Sequence, residues 1–232
     1  MSNIKHRIMN NEVTRIHLDI RNSMFVIRYS KKLFYSFFLL FLLPLFSFSQ
    51  KDSTANLKSG IAKFNEGNYD VAVMEFNKAI EQCPKCAEVY YYLGEISFLQ
   101  KDNKKAMENF NKTIELDSTY SKAYKDRGAL KAMLEDYRGA IDDFNIAIKQ
   151  DKSFSDAYFN RATSYESLKE YKSSIEDYTK VISMNKKDFQ AYEQRGRAKF
   201  EMGDAKGACK DWSKAGELGD FKAYDYIKKN CK

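Results

Sequence analysis

Histidine is nearly missing from this 232-residue sequence: His6 and His17 are the only two, and both precede residue 50. The rest of the chain therefore holds no Ser-His-Asp or Cys-His nucleophilic arrangement and no histidine metal site. Glycine-rich phosphate loops are lacking as well. Acid-base work would fall to carboxylates and lysines that no local context distinguishes. The expectation is a non-catalytic protein with no cofactor and no metal.

Long apolar runs are also scarce. The stretch from Leu33 to Phe46 has 14 residues and is interrupted by Pro44 near its end, whereas a bilayer-spanning helix needs about 20. Arg28, Lys31 and Lys32 precede it, and the small residues Ser47 and Ser49 come just before Gln50. That order of positive, apolar and small residues is the signature of a secretory signal peptide. Residues 1–49 are read as a cleaved signal peptide and 50–52 as a short linker. Met24 is a more ordinary start for such a segment than Met1. The protein is then exported, to a bacterial periplasm or beyond, and a retained N-terminal membrane anchor is the alternative. No cysteine lies near the cleavage point, which argues against lipid attachment.

The charge balance follows from this division. Of the formal net charge of +7, +5 belongs to residues 1–49, with seven Lys/Arg against two Asp/Glu, and only +2 to the remainder. A basic chain invites a nucleic-acid reading. Here the excess lies in the segment that is removed, so nucleic acid is not an expected partner. Membrane contact is expected only through an uncleaved N-terminus.

What is present is a gap-free period of 34 residues over five copies. Gly60, Gly94, Gly128 and Gly196 share one register, with Ala162 at the missing step. Twelve residues later come Ala72, Ala106, Ala140, Ser174 and Ala208, and four further on Phe76, Phe110, Phe144, Tyr178 and Trp212. A unit of this length cannot bury its apolar face alone and must stack on its neighbours. The repeats run 53–86, 87–120, 121–154, 155–188 and 189–219, followed by a cap at 220–232 with Lys222, Asp225, Lys228 and Lys229 toward water. Within the first unit, Gly67-Asn68 stops one helix and Asp70 starts another. The second helix shows an apolar face of Val71, Met74, Phe76, Ala79 and Ile80.

The pattern of aromatic 4, Leu 7, Gly 8, Ala 20, aromatic 24, Ala 27 and Pro 32 resembles the tetratricopeptide repeat (TPR). Tyr90, Leu93, Gly94, Ala106 and Phe110 carry it in repeat two, and Ala72, Phe76, Ala79 and Pro84 in repeat one. Position 32 departs from it at Ser118, Lys152 and Lys186. The resemblance implies an all-α fold, a right-handed α-α superhelix of helix-turn-helix repeats with a C-terminal capping helix. It further implies a concave face, lined by first helices, that binds a protein or peptide. Groove positions of that family fall here on Tyr91, Glu95, Phe98, Lys125, Phe159, Asn160, Thr163, Glu193, Arg197 and Phe200. The family's clamp for a C-terminal carboxylate wants Lys and Asn in its first unit, where this chain has Leu57 and Ile61, so that ligand mode is disfavoured.

Comparing copies adds two expectations. Position 7 is Arg127, Arg161 and Arg195 in repeats three to five, and position 23 is then Asp143, Asp177 and Asp211. An Arg fork matches a carboxylate, so each pair is read as an internal strut, against the alternative of three arginines holding an anionic ligand. The four cysteines are even in number in a chain read as exported. Cys83 and Cys86 are read as a staple across a turn, the alternative being a thiol-disulfide redox site. Cys209 occupies an apolar second-helix position and Cys231 counts to the same level on the cap, so the two are read as a bridge; the alternative is a buried thiol and a loose terminal one. Partner identity and oligomeric state are not readable.

Overall fold

The structure, a computed structural model, describes residues 54–231. The expected signal peptide, linker and Met24 start lie outside the described residues. Among the described residues there are helices and no strands. The first, α1, is described over 54–65. It is followed by α2 (Tyr69–Gln82), α3 (Ala87–Leu99), α4 (Asn103–Leu116), α5 (Ser121–Met133) and α6 (Tyr137–Gln150). The remainder are α7 (Ser155–Ser167), α8 (Tyr171–Met184), α9 (Phe189–Glu201), α10 (Ala205–Glu217) and α11 (Phe221–Asn230).

Odd-numbered helices open the repeats and even-numbered ones close them. Each of α4, α6 and α8 packs on its own first helix and on the first helix of the next repeat, while α5 also touches α3 and α7. Asn56–Lys232 forms one unit by its contacts. Its buried residues form clusters at successive repeats and at the cap.

The period of the sequence becomes a ladder of close contacts. Ala72, Ala106, Ala140, Ser174 and Ala208 are all 0% exposed, and the aromatics four residues on are at most 1% exposed. A Cβ placed on Gly94 would lie 2.6 Å from the Phe110 ring, and one on Gly196 2.6 Å from the Trp212 ring. Glycine at position 8 is what lets the second helix's ring lie on the first helix's backbone. Not every apolar residue takes part: Met74, read from spacing as part of the α2 apolar face, is 59% exposed. Ala72, Phe76 and Ala79 form that face instead, because α2 turns them toward α1 and α3.

First helices end by a left-handed residue, Gly67 (φ 74°), Lys101 (63°), Glu135 (65°), Lys169 (60°) and Gly203 (92°). The following amide then donates back five residues, as Asp102 N does to Ser97 O at 2.9 Å and Asp136 N to Lys131 O at 2.9 Å. The next helix starts at once, and in three repeats an aspartate caps it: Asp102, Asp136 and Asp204 accept from Lys105, Gly139 and Gly207 amides. Turns this tight hold successive first helices side by side and so create the face described next.

Candidate partner-binding face

The first helices present a row of side chains that is neither uniformly charged nor uniformly apolar. Phe98 (37% exposed) and Phe200 (38%) stand open near the helix ends, and Thr163 is exposed on α7. Glu95, Lys125, Phe159, Asn160, Glu193 and Arg197 are half-buried. Tyr91 departs from the expectation of an open groove residue. It is 5% exposed, packs on Tyr92, Phe110 and Tyr120, and its hydroxyl donates to Asp126 Oδ2 at 2.9 Å. Tyr91 is thus a seam residue between repeats two and three, because α3 rotates position 5 inward where large rings fill the space.

Two polar clusters are built on this face. In the first, Asp126 accepts from Tyr91 and pairs with Lys125, while Glu95 lies close enough to feel both. Burial, and then the Asp126 charge, hold the Glu95 carboxyl above its ordinary value. In the second, Glu166 Oε1 accepts from Arg197 Nη2 at 2.7 Å and Oε2 from the Tyr178 hydroxyl at 3.3 Å. The Tyr178 hydroxyl also lies 3.1 Å from Thr163 Oγ1. Tyr178 belongs to the second helix of its repeat, yet its phenol reaches Thr163 and Glu166 on the first helix. Burial pushes the Glu166 carboxyl up, with Arg197 opposing. Around this cluster Phe159, Thr163, Ser167, Tyr171, Gln194 and Glu201 line a depression of about 470 Å³ between α7 and α9.

The arginine–aspartate pairs lie between helices rather than in the groove. Arg127 Nε and Nη2 donate to the two oxygens of Asp143 at 2.8 and 2.7 Å, and Arg161–Asp177 and Arg195–Asp211 repeat that geometry. Each guanidinium also lies over the position-4 ring of its own helix, Tyr124, Tyr158 or Tyr192. The third nitrogen reaches the preceding repeat, where Asn111, Asn145 and Thr179 accept. These acceptors were not read from the sequence. The available signal is that each stands 16 residues before its arginine, as far as the aspartate stands after.

The cysteines are joined as Cys83–Cys86 and Cys209–Cys231, with Cα atoms 5.5 and 5.8 Å apart. The first bridge closes the turn from α2 to α3. The second ties α10 to the end of α11. Cys209 is half-buried rather than enclosed, since α11 is too short to cover all of α10. The expected water-facing cap residues Lys222, Asp225, Lys228 and Lys229 are exposed, and so are Phe221 and Tyr224.

Among the described residues no group of His, Cys, Asp and Glu is placed to hold a metal ion, and no helix is long and apolar enough to cross a membrane. Family models described as tetratricopeptide repeat match residues 57–121 and 155–188. One solved structure of MamA is 30% identical, covers 71% of this chain and 96% of that chain, and superposes with a TM-score of 0.64. A second MamA structure is 28% identical over 75% of this chain and 96% of that one, TM-score 0.66. YrrB, described as a TPR protein with an unusual peptide-binding site, shares the fold at 16% identity and TM-score 0.68, over 78% of this chain and 93% of its own. No curated protein sequence matches. The stacked helix pairs, the glycine-on-aromatic ladder and these likenesses agree: the chain belongs to the tetratricopeptide repeat family.

Proposed function

We propose that this protein is an exported, non-catalytic scaffold that holds a segment of a partner protein against its first-helix face. The observation that carries the reading is the α7–α9 depression. It sets an aromatic wall, Phe159, beside hydroxyl, amide and charged groups within a space sized for one or two side chains. Phe98 on α3 and Phe200 on α9 are large, exposed and carried by the same row of first helices.

Export is supported by the signal-like order of residues 1–49 and by the pairing of all four cysteines into bridges. The thiol-disulfide reading is not favoured. Cys86 is bridged to Cys83 and packs on the apolar cluster shared by repeats one and two, as a structural staple does.

A photo-crosslinking residue at Phe159 or Phe200, expressed in the native host, tests the groove. Covalent capture of one partner from these positions, and not from exposed second-helix positions such as Glu108 or Glu176, is the expected result. Equal capture from both faces removes the proposal.

A further inference from the structure

The 34-residue period allows the outer faces of the second helices to be compared position by position. Along that face, opposite charges alternate at i, i+4 and i+8: Lys104, Glu108 and Lys112 in α4, then Lys172, Glu176 and Lys180 in α8. In α6 the row is Arg138 and Asp142, with Ile146 last. This spacing puts attractive neighbours on one helix face. In α10 the middle acid is exchanged for a cation, and the row reads Lys206, Lys210 and Lys214, all exposed. Lys214 pairs with Glu217 at 2.8 Å, whereas Lys206 and Lys210 make no ion pair among the described residues. Like charges at this spacing weaken a helix. The exchange therefore works against α10 itself, and its explanation lies outside the helix.

Helix α11 packs on α10, and its end, Asn230 with Cys231, borders the lysine row. Lys228 and Lys229 are exposed and unpaired among the described residues, Phe221 is 83% exposed and Tyr224 is 53% exposed. Phe221, Tyr224 and Lys228 share one face at helical spacing. The Cys209–Cys231 bridge holds α11 on α10, and a shallow depression of about 940 Å³ runs along the seam beside Lys206, Lys210, Ser213 and Asn230. Every cation of these two helices is lysine. Arginine, whose fork selects a discrete carboxylate, is used elsewhere in the chain for that purpose. Flexible ammonium groups suit a diffuse negative surface instead, and lysine with exposed aromatics is the composition that settles at a membrane–water interface.

We propose that the C-terminal end of the solenoid, α10 with α11, is a peripheral docking surface for a membrane bearing anionic lipid headgroups. Lys206, Lys210, Lys214 and Lys228 face the headgroups, and Phe221 and Tyr224 enter the interface. The first-helix groove on α7 and α9 stays open to a polypeptide while α10 and α11 are docked.

Residues 50–232, which keep every repeat and the whole buried core, are tested by cosedimentation with vesicles of phosphatidylglycerol mixed into phosphatidylcholine and with pure phosphatidylcholine vesicles. Binding to the mixed vesicles only, weakening as salt is added, is expected. The decisive variant is Lys210→Glu, which restores the acid that repeats two to four carry at this position. It lowers vesicle binding by about thirtyfold, the factor for two unit charges at the surface, while its thermal midpoint rises. Phe221→Ser weakens binding without changing its salt dependence. No binding to anionic vesicles, equal binding to neutral ones, or unchanged binding by Lys210→Glu each overturns the proposal. Tighter binding of poly-glutamate than of anionic vesicles also overturns it, and assigns the surface to an acidic polypeptide.

Discussion

Arg127 and Asp143 meet side-on, Nε and Nη2 of the one donating to both oxygens of the other, and the remaining Nη1 of Arg127 donates to Asn111 of the preceding repeat at 2.7 Å. One side chain thereby joins both helices of a repeat and the repeat before it. Asp143 is 2% exposed and receives Lys131 as well, at 2.8 Å. Asp143→Ala leaves two cations without their partner and costs about 3 kcal/mol in urea unfolding. Asp177→Ala costs less, because Tyr165 stands where Lys131 does and only Arg161 is left unpaired. In a double-mutant cycle, Arg127→Ala and Asp143→Ala together cost less than the sum of the two. An additive result would deny the strut.

Gly94 faces Phe110 with no room for a methyl group, the nearest ring carbon being 2.6 Å from where its Cβ would lie. Gly94→Ala must displace a ring that is 1% exposed and held on all sides. We expect a loss of about 1–3 kcal/mol by denaturant unfolding, the range for overpacking a filled core. Adding Phe110→Leu to Gly94→Ala recovers part of it. Gly203→Ala does not meet any atom and acts only through its φ of 92°, so the second change has nothing to rescue there.

Those two contacts mark what the sequence makes legible. A period of 34 residues with small and large residues in fixed register is a packing statement, and it leads directly to helix pairs, their boundaries and the arginine–aspartate partners. Tyr91 was less legible because its position number describes a family average, while its burial depends on the rings of Tyr92 and Tyr120 that this chain happens to place beside it. Glu166 and Tyr178 lie on different helices, and their meeting depends on how α7 and α8 pack, which no spacing rule encodes. The lysine row of α10 is visible in the sequence, but only once the outward face of each second helix is known.

Lys101, Glu135 and Lys169 hold the left-handed turn conformation that glycine holds in repeats one and five. A side chain with a Cβ pays about 1–2 kcal/mol in that region, partly offset because glycine is freer in the unfolded chain. Lys101→Gly, Glu135→Gly and Lys169→Gly should therefore each stabilise by about 0.5–1 kcal/mol, and additively, since the three are 34 residues apart in sequence and each acts on its own turn. Thermal unfolding of the single and triple variants checks both the sign and the sum. A destabilising triple variant would contradict the turn geometry.

The two bridges constrain the chain unequally. Cys209–Cys231 closes a separation of 22 residues and Cys83–Cys86 one of 3. Loop-closure entropy makes these worth roughly 3 and roughly 2 kcal/mol. Cys209→Ser with Cys231→Ser also releases α11, a ten-residue helix that packs on α10 alone among the helices it meets closely. Hydrogen exchange should show α11 fraying in that variant while α3 to α8 stay protected. The Cys83→Ser, Cys86→Ser variant leaves α11 as protected as in the native chain.

Glu95 offers a test by pH. Burial and the neighbouring Asp126 charge raise its carboxyl above the ordinary value of 4.5, so the folded protein binds this proton more tightly than the unfolded chain does. The stability from that difference is complete below the unfolded pKa and is lost as pH rises through the folded one. Ionised Glu95 is consequently a burden at neutral pH. Glu95→Gln keeps the shape and removes the charge, and should melt at a higher temperature than the native chain at about pH 7, with the difference closing toward about pH 4. Asp117, held below its ordinary value by its bonds to Thr119, has the opposite sign and contributes equally to both proteins. Melting curves of the two proteins across this interval therefore converge at low pH if burial governs Glu95. Curves that stay parallel would mean that Lys122 and Lys125 neutralise the cluster and that the first-helix face carries its full negative charge there.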